Sequence, residues 1–380
     1  MTLPHRPRVP EHPPHGAYAR LTVIGCGSWG TALAIVAARA GRQVMLWGRK
    51  PETMAAITEA GENTAYLPGI ALPEAIQATA ELGTALRGAE AVLLVIPSHA
   101  VRQTCRAMRP HLGAGVPVVL CAKGIEIGTG LLLSEVAAEE LPDNPIGALS
   151  GPTFAAETAQ GHPTAATIAS PFAYRDRLAP ASSPAARLAL SLGSESFRPY
   201  ISDDVIGVEI GGAMKNVIAI ACGMMTGAGF AENTRAALIA RGMDEMKALA
   251  EALGGRRETV TGLSGAGDLT LTCSSTTSRN MSLGVQLGQG IARSACFEGR
   301  QVVVEGERNA ISVTDLARRI GIDLPICEAV RRILHEDACI GETFAALWSR
   351  PIQGEPKALD ITLDHPANPE AVQALADKIA

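Results

Sequence analysis

Seven short strand-like runs recur along the first part of the chain. They are Leu21–Ile24, Gln43–Trp47, Ala91–Ile96, Pro117–Cys121, Pro145–Leu149, Pro163–Ile168 and Ser196–Ile201. Most are continuously apolar rather than alternating, the pattern of strands buried on both faces of a parallel sheet. Helical patterns lie between them, beginning with Thr31–Arg39, which contains no proline. From about Asp203 the period changes. Helical spacing then dominates to about Trp348, over 204–225, 233–253, 278–289, 305–320 and 325–336. The pattern predicts an α/β N-terminal domain with a mostly parallel sheet over 20–202, followed by an all-α domain over 203–349. Residues 1–19 read as a flexible N-terminal extension. Residues 350–380, rich in Pro, Asp and Glu, read as a peripheral tail with one short helix near 368–378.

Composition narrows the picture. Of 380 residues, 47% are hydrophobic but only 3% aromatic, so Ala, Val, Ile and Leu must build the core. The net charge of -5 and the lack of a long Lys/Arg block argue against a general nucleic-acid binder and leave local basic spots for small anions. The eight cysteines form no Cys-x-x-Cys pair and read as reduced core residues. The eight histidines form no His-Glu-x-x-His cluster, three of them fall within 1–19, and no metal site is expected. The first 19 residues lack the apolar stretch of a secretory signal, so a cytoplasmic location is expected by default. Val205–Met225 is apolar enough to mimic a membrane span. Glu209, Lys215 and Asn216 interrupt it, which favours a buried central helix.

Candidate chemistry begins where the first strand ends. Gly25-x-Gly27-x-x-Gly30 lies between an apolar run and a helix start, which is the dinucleotide-binding arrangement. The first glycine allows the tight turn, the second admits a pyrophosphate against the backbone, and the third lets the helix pack close to the strand. The helix N-terminus then offers unpaired N–H groups to the phosphates. After the second strand, an NAD-preferring site usually carries a carboxylate for the ribose hydroxyls. Here Arg49 and Lys50 stand instead. They suit the 2′-phosphate of NADP better than they suit a plain solvated loop.

Two further clusters stand out. Lys215 lies in an apolar helical run behind Gly211 and Gly212, which leave room for something to approach. A snorkelling surface lysine is the alternative, but the small residues favour a site. A glycine-rich stretch, 261–267, delivers Asp268. Ser278, Arg279 and Asn280 then open a helix. Two roles fit them equally: holding a phosphate with N–H groups, hydroxyl and guanidinium, or a simple serine cap with a solvent-facing arginine.

In order, Gly25–Ala34, Val95–His99, Ala122–Gly124, Leu149–Phe154, Gly212–Val217, Gly267–Leu269, Ser278–Asn280 and Val303–Gly306 resemble the motifs of NAD(P)-dependent sn-glycerol-3-phosphate dehydrogenases of the bacterial type, over roughly residues 20–349. The resemblance implies a Rossmann-like domain, a helical domain and a site between them. It implies reversible reduction of dihydroxyacetone phosphate to sn-glycerol 3-phosphate for glycerophospholipid synthesis, with NADP or NAD as cofactor. By motif, Lys215 is the acid/base, Lys123 adds positive charge near the carbonyl, and Asp268 orients Lys215. Substrate contacts carried over are Lys123, Gly151, Thr153, Lys215, Asn216, Asp268, Thr272, Ser278, Arg279 and Asn280. Dinucleotide contacts are Gly25, Gly27, Ser28, Trp29, Gly30, Arg49, Lys50, Lys123, Ala155, Arg279, Val303 and Glu305. Many relatives carry Lys where this chain has Ala156, and no core role depends on it. Expected partners are the small substrate and no nucleic acid, with a homodimer as one open assembly. The alternatives are a β-hydroxyacid or 6-phosphogluconate-type dehydrogenase, or a non-catalytic NAD(P)-binding sensor.

Overall fold

The first strand, β1 (Arg20–Ile24), is buried from Leu21 onward because both of its faces are covered. Leu21 and Val23 enter one core, with Leu33, Val36 and Leu93. Ile24 enters the other, with Val92, Leu94, Val118 and Met108. The computed structural model describes residues 16–355, 359–367, 370–372, 374 and 377.

The elements then follow as α1 (Ser28–Arg39), β2 (Gln43–Trp47), α2 (Pro51–Ala60), β3 (Ile76–Thr79), α3 (Leu82–Leu86), β4 (Ala91–Leu94), α4 (Val101–Met108), β5 (Val118–Leu120), α5 (Leu133–Glu140), β6 (Ile146–Ser150), α6 (Ala155–Gln160), β7 (Thr164–Ala169), α7 (Tyr174–Leu178), α8 (Pro184–Leu192) and β8 (Phe197–Ser202). One eight-stranded sheet runs β3-β2-β1-β4-β5-β6-β7-β8. Every pairing is parallel except β6 with β7, where Leu149 opposes Ile168. From β1 the chain winds outward to β3, then returns to β4 on the other side. This reversal is the switch point where a crevice opens at the carboxyl ends of the strands.

Contact clustering divides the chain into two compact units. The first runs to Gly212 and takes in Leu253–Asp268; the second comprises Ala213–Ala252 and Leu269 onward. The division after Gly212 falls within a helix rather than at its start. Helix α9 (Val205–Gly227) starts against the sheet, with Val205 and Val208 on Ala148 and Ala169. Residues 253–268 return to the first unit through α11 (Arg257–Val260) and a π-helical turn, Leu263–Gly267, that packs on β7. Long and apolar, α9 is 89% buried over its most hydrophobic window, as a core helix is.

Several expectations need correction. β3 was not anticipated, because its four half-exposed residues carry no apolar run. Residues 16–19 do not behave as a loose extension: Tyr18 is buried, its N–H donates to Ser191 Oγ at 2.8 Å, and Arg187 lies over its ring. Residues 1–15, with the three tail histidines, lie outside the described residues. Two cysteines are not core residues: Cys26 is half-buried beside the glycine turn and Cys339 is exposed. The tail holds a small antiparallel pair, Ile352–Gln353 with Thr362–Leu363. Residues 370–372, 374 and 377 are helical, and the rest of the expected tail helix lies outside the described residues.

The second unit contains α10 (Glu232–Ala252), α12 (Asp268–Ser274, beyond its first residue), α13 (Arg279–Gly288), α14 (Glu305–Ile320), α15 (Pro325–His335) and α16 (Ile340–Trp348). Helices α9 and α13 meet backbone to backbone. Gly223 and Gly227 on one face Gly284 and Gly288 on the other, a small-xxx-small spacing on each. A Cβ built on Gly284 would lie 2.3 Å from the Ile220 carbonyl oxygen, and one on Gly288 would lie 2.1 Å from that of Met224. Backbone cannot yield as a flexible side chain does. Buried Glu245 of α10 fixes the start of α15 by accepting from Ile326 N (2.6 Å) and Cys327 N (3.2 Å). Burial pushes its carboxyl up to about 7, against the opposing effect of those N–H donors.

Gly284→Ala is expected to destabilise the protein by ~1–3 kcal/mol, the range for overpacking a tight contact. Denaturant unfolding of the two proteins checks this; an unchanged midpoint would refute the close approach. For Glu245 the native state binds its proton more tightly than the unfolded chain, so its contribution to stability falls as pH rises from about 4.5 to about 7. Melting curves should show wild type losing stability relative to Glu245→Gln as pH rises over that window. A pH-independent gap would contradict it.

Candidate active site

The first unit carries a phosphate cradle at the switch point. Gly25 has φ of +120°, and a Cβ there would lie 2.0 Å from the Val95 carbonyl oxygen. A Cβ on Gly30 would lie 1.8 Å from the Gly25 carbonyl, so α1 can approach β1 only without a side chain there. Gly27 differs: nothing lies within 4 Å of its built Cβ. It is the N-cap of α1 and has no side-chain cap bond. An open, side-chain-free surface at the start of a twelve-residue helix fits a pyrophosphate.

Around this turn, Ser28 Oγ donates to the Tyr66 carbonyl at 2.6 Å, and Trp29 packs on the core while staying half-buried. Arg49 and Lys50 follow β2, both exposed, and neither makes an ion pair among the described residues. Asn63 holds the turn from outside, although nothing in its local sequence signals it. Fully buried, its amide donates to the Cys26 carbonyl (2.8 Å) and to Thr31 Oγ1 (2.7 Å), while its Oδ1 accepts from Tyr66 N (3.3 Å).

The strand ends supply further polar groups. Lys123, just beyond β5, donates to Asp268 Oδ2 at 2.5 Å, and the Asp268 side chain is only 2% exposed. A buried carboxylate needs such a counter-charge. Asp268 is delivered by a tight segment, because the glycines before it form the π-helical turn: a Cβ on Gly265 would lie 1.9 Å from the Val260 carbonyl. Gly151 follows β6 and packs against β7, where a Cβ would meet Ala166 Cα at 2.8 Å. Thr153 Oγ1 donates to the Gly151 carbonyl (3.2 Å), and Ala155 opens α6. Glu209, which sequence reasoning treated only as a span-breaking charge, accepts from Ser134 N (3.0 Å) and Ser134 Oγ at the start of α5. Burial raises it to about 7.

The second unit carries another set. Lys215 is 7% exposed, and its ammonium donates to Thr272 Oγ1 at 2.8 Å. Snorkelling to solvent is thereby excluded. Asn216 Oδ1 accepts from Asn280 Nδ2 (2.9 Å), whose own Oδ1 accepts from Gly306 N (2.9 Å) in the first turn of α14. One part-buried chain of bonds thus ties α9, α13 and α14 together. Asn309 Nδ2 adds a bond to the Ala213 carbonyl at 3.0 Å. Ser278 caps α13 by accepting from Met281 N at 3.3 Å, so the cap role is filled, and Arg279 follows it, exposed in the first turn. Val303 is exposed and Glu305 begins α14. Among the described residues no group of three or more His, Cys, Asp or Glu is placed to hold a metal ion.

Comparison with known proteins adds to this geometry. Residues 20–174 match the family described as "NAD-dependent glycerol-3-phosphate dehydrogenase N-terminus", and residues 204–345 match its "C-terminus" counterpart. The chain is 49% identical over 335 residues to the NAD(P)+ glycerol-3-phosphate dehydrogenase of Rhodospirillum rubrum, covering 88% of this chain and 93% of that one. It is 48% identical over 339 residues to the enzyme of that name from Parvibaculum lavamentivorans, covering 89% and 99%. A crystal structure of glycerol-3-phosphate dehydrogenase from Coxiella burnetii superposes with a TM-score of 0.80 at 37% identity, covering 88% of this chain and all of that one.

Asn63→Ala leaves a buried carbonyl and hydroxyl short of a donor, a cost of ~1–3 kcal/mol per group. Since both belong to the glycine turn, the dinucleotide Kd should rise about tenfold or more. Titration followed by tryptophan fluorescence measures it. A lowered melting temperature with unchanged Kd would make Asn63 a purely structural residue.

Proposed function

The chain belongs to the NAD-dependent glycerol-3-phosphate dehydrogenase family and catalyses the reversible, NAD(P)-dependent reduction of dihydroxyacetone phosphate to sn-glycerol 3-phosphate; we propose that Lys215 is its acid/base. The observation that carries this reading is an ammonium group buried in an apolar helix, with Thr272 Oγ1 as its acceptor at 2.8 Å. A buried lysine is costly unless its charge is used.

When bound, the reduced dinucleotide supplies a hydride to the ketone carbon. Gly25, Gly27 and Gly30 shape its phosphate cradle, with Ser28, Trp29 and Ala155 beside it and Val303 and Glu305 contributed by the helical unit. Negative charge develops on the ketone oxygen. The Lys215 ammonium stabilises that charge and donates its proton there; in the reverse direction it takes the proton back. Thr272 fixes the direction of the ammonium. Lys123 adds a second positive charge near the carbonyl, with Asp268 holding its ammonium in place. Gly151 and Thr153 border the substrate. Arg279 and the N–H groups of the first turn of α13 hold the substrate phosphate, a pairing for which a guanidinium is well suited. Because the Asn280 amide is engaged by Asn216 and Gly306, it acts by aligning α9, α13 and α14. Arg49 and Lys50 are exposed just beyond β2, and two cations in place of a carboxylate there support NADPH as the preferred coenzyme. We assign the reaction to the cytoplasm, where it supplies glycerophospholipid synthesis.

Two experiments test these assignments. Lys215→Ala should lose at least ~100-fold in kcat, the usual worth of general acid–base catalysis, with dinucleotide binding nearly intact. A variant keeping more than about a tenth of the rate would remove Lys215 from that role. Arg49→Asp should shift the ratio of kcat/KM from NADPH toward NADH, because the new carboxylate repels a 2′-phosphate and accepts from a free ribose. A wild type that strongly prefers NADH, or a ratio that does not move, would refute the loop assignment.

A further inference from the structure

On α9, Val205, Val208 and Gly212 fall at i, i+3 and i+7, one stripe of the helix. The strand facing it is β6. Ala148 packs against Val205 and Val208, and two residues further along β6, on the same face, stands Ser150. A Cβ built on Gly212 would lie 3.1 Å from Ser150 Oγ and 3.2 Å from Lys123 Cγ. The apolar stripe therefore ends in a glycine, and into that spot converge a hydroxyl and the stem of the lysine that pairs with Asp268.

Ser150 is only 4% exposed, and its Oγ has no hydrogen-bond partner among the described residues. A buried hydroxyl without a partner is costly, and alanine would fit the same space without that cost. Such groups are retained where a ligand completes them. Ser150 also directly precedes Gly151, at a carboxyl strand end, where open α/β sheets take ligands.

We infer that Ser150 is a specificity-determining residue that hydrogen-bonds the free terminal hydroxyl next to the ketone of dihydroxyacetone phosphate. The inference rests on Lys123 and Gly151 bordering the substrate, as proposed above. Ser150 Oγ and Lys123 Cγ lie 3.1 and 3.2 Å from the same Gly212 Cβ position, so the hydroxyl borders the stem of the lysine whose ammonium serves the carbonyl. An oxygen there belongs on the carbon adjacent to the carbonyl that the ammonium serves. The enzyme thereby selects α-hydroxy ketones over ketones that carry a plain methyl group, because a site built to pair a substrate hydroxyl discriminates against the analogue lacking it.

The test compares dihydroxyacetone phosphate with hydroxyacetone phosphate, which keeps the ketone and phosphate but has a methyl in place of that hydroxyl. Ser150→Ala should lower kcat/KM for dihydroxyacetone phosphate about tenfold, the loss of one hydrogen bond, and leave hydroxyacetone phosphate unchanged. The ligand-free melting temperature should hold or rise, while its increase on adding dihydroxyacetone phosphate should shrink. An equal loss on both ketones, no loss on either, or a lower ligand-free melting temperature would overturn the inference. The underlying reading fails in a different way: the wild type would then reduce neither ketone, or Lys215→Ala would remain active.

Discussion

A methyl group on Gly284 would sit 2.3 Å from the Ile220 carbonyl oxygen, and the polar constellation of the helical unit depends on that spacing. Gly223, Gly227, Gly284 and Gly288 let α9 and α13 touch along their backbones. Only at this separation can the Asn280 amide at the head of α13 reach Asn216, one residue beyond Lys215. Asn280 then holds Gly306 at the head of α14. Short amides have little reach, so an ångström of separation between the helices would break the chain of bonds. The same constraint governs the sheet unit, where Gly25 and Gly30 bring α1 against β1 and β4. In both units, functional groups are positioned by what the adjoining residues lack.

Charge burial is the second organising feature. Asp268 is sealed from water but paired with Lys123, and Lys215 is sealed but engaged by Thr272. Glu209 and Glu245 are buried as well, and each accepts N–H groups at the start of a helix. These two have carboxyls raised by burial and serve architecture. Buried Lys215 and half-buried Lys123 are the cations to which we assign the chemistry. What distinguishes the two classes is the partner: helix ends for the glutamates, a hydroxyl or a carboxylate for the lysines.

Legibility in the sequence followed how local each signal was. The glycine turn, the continuous apolar strands and the long helices each announce themselves within a short window, and the sheet and the helices stand where those patterns put them. Lys215 was legible because a cation in an apolar helical run is anomalous. β3 was not, since an edge strand that is half exposed has no need of an apolar run. Asn63 was invisible because its partners, Cys26 and Thr31, are more than thirty positions away and nothing in its own loop marks it. The return of 253–268 to the sheet unit was hidden for a similar reason: contacts such as Gly211 against the Ser264 backbone depend on packing, which periodicity does not report. The Ser278 cap was readable as one of two roles, and its hydroxyl does cap α13.

In the chemistry we propose, a phosphate-held ketone is reduced with a proton from buried Lys215. The most direct measurement follows NADPH oxidation by the purified full-length chain with three candidate substrates in parallel: dihydroxyacetone phosphate, unphosphorylated dihydroxyacetone and a β-keto acid. Rapid oxidation is expected with the phosphorylated ketone, and at least ~100-fold lower kcat/KM with the other two, since neither presents both a ketone and a phosphate to the site. Comparable turnover of the β-keto acid, or none with dihydroxyacetone phosphate, would contradict it.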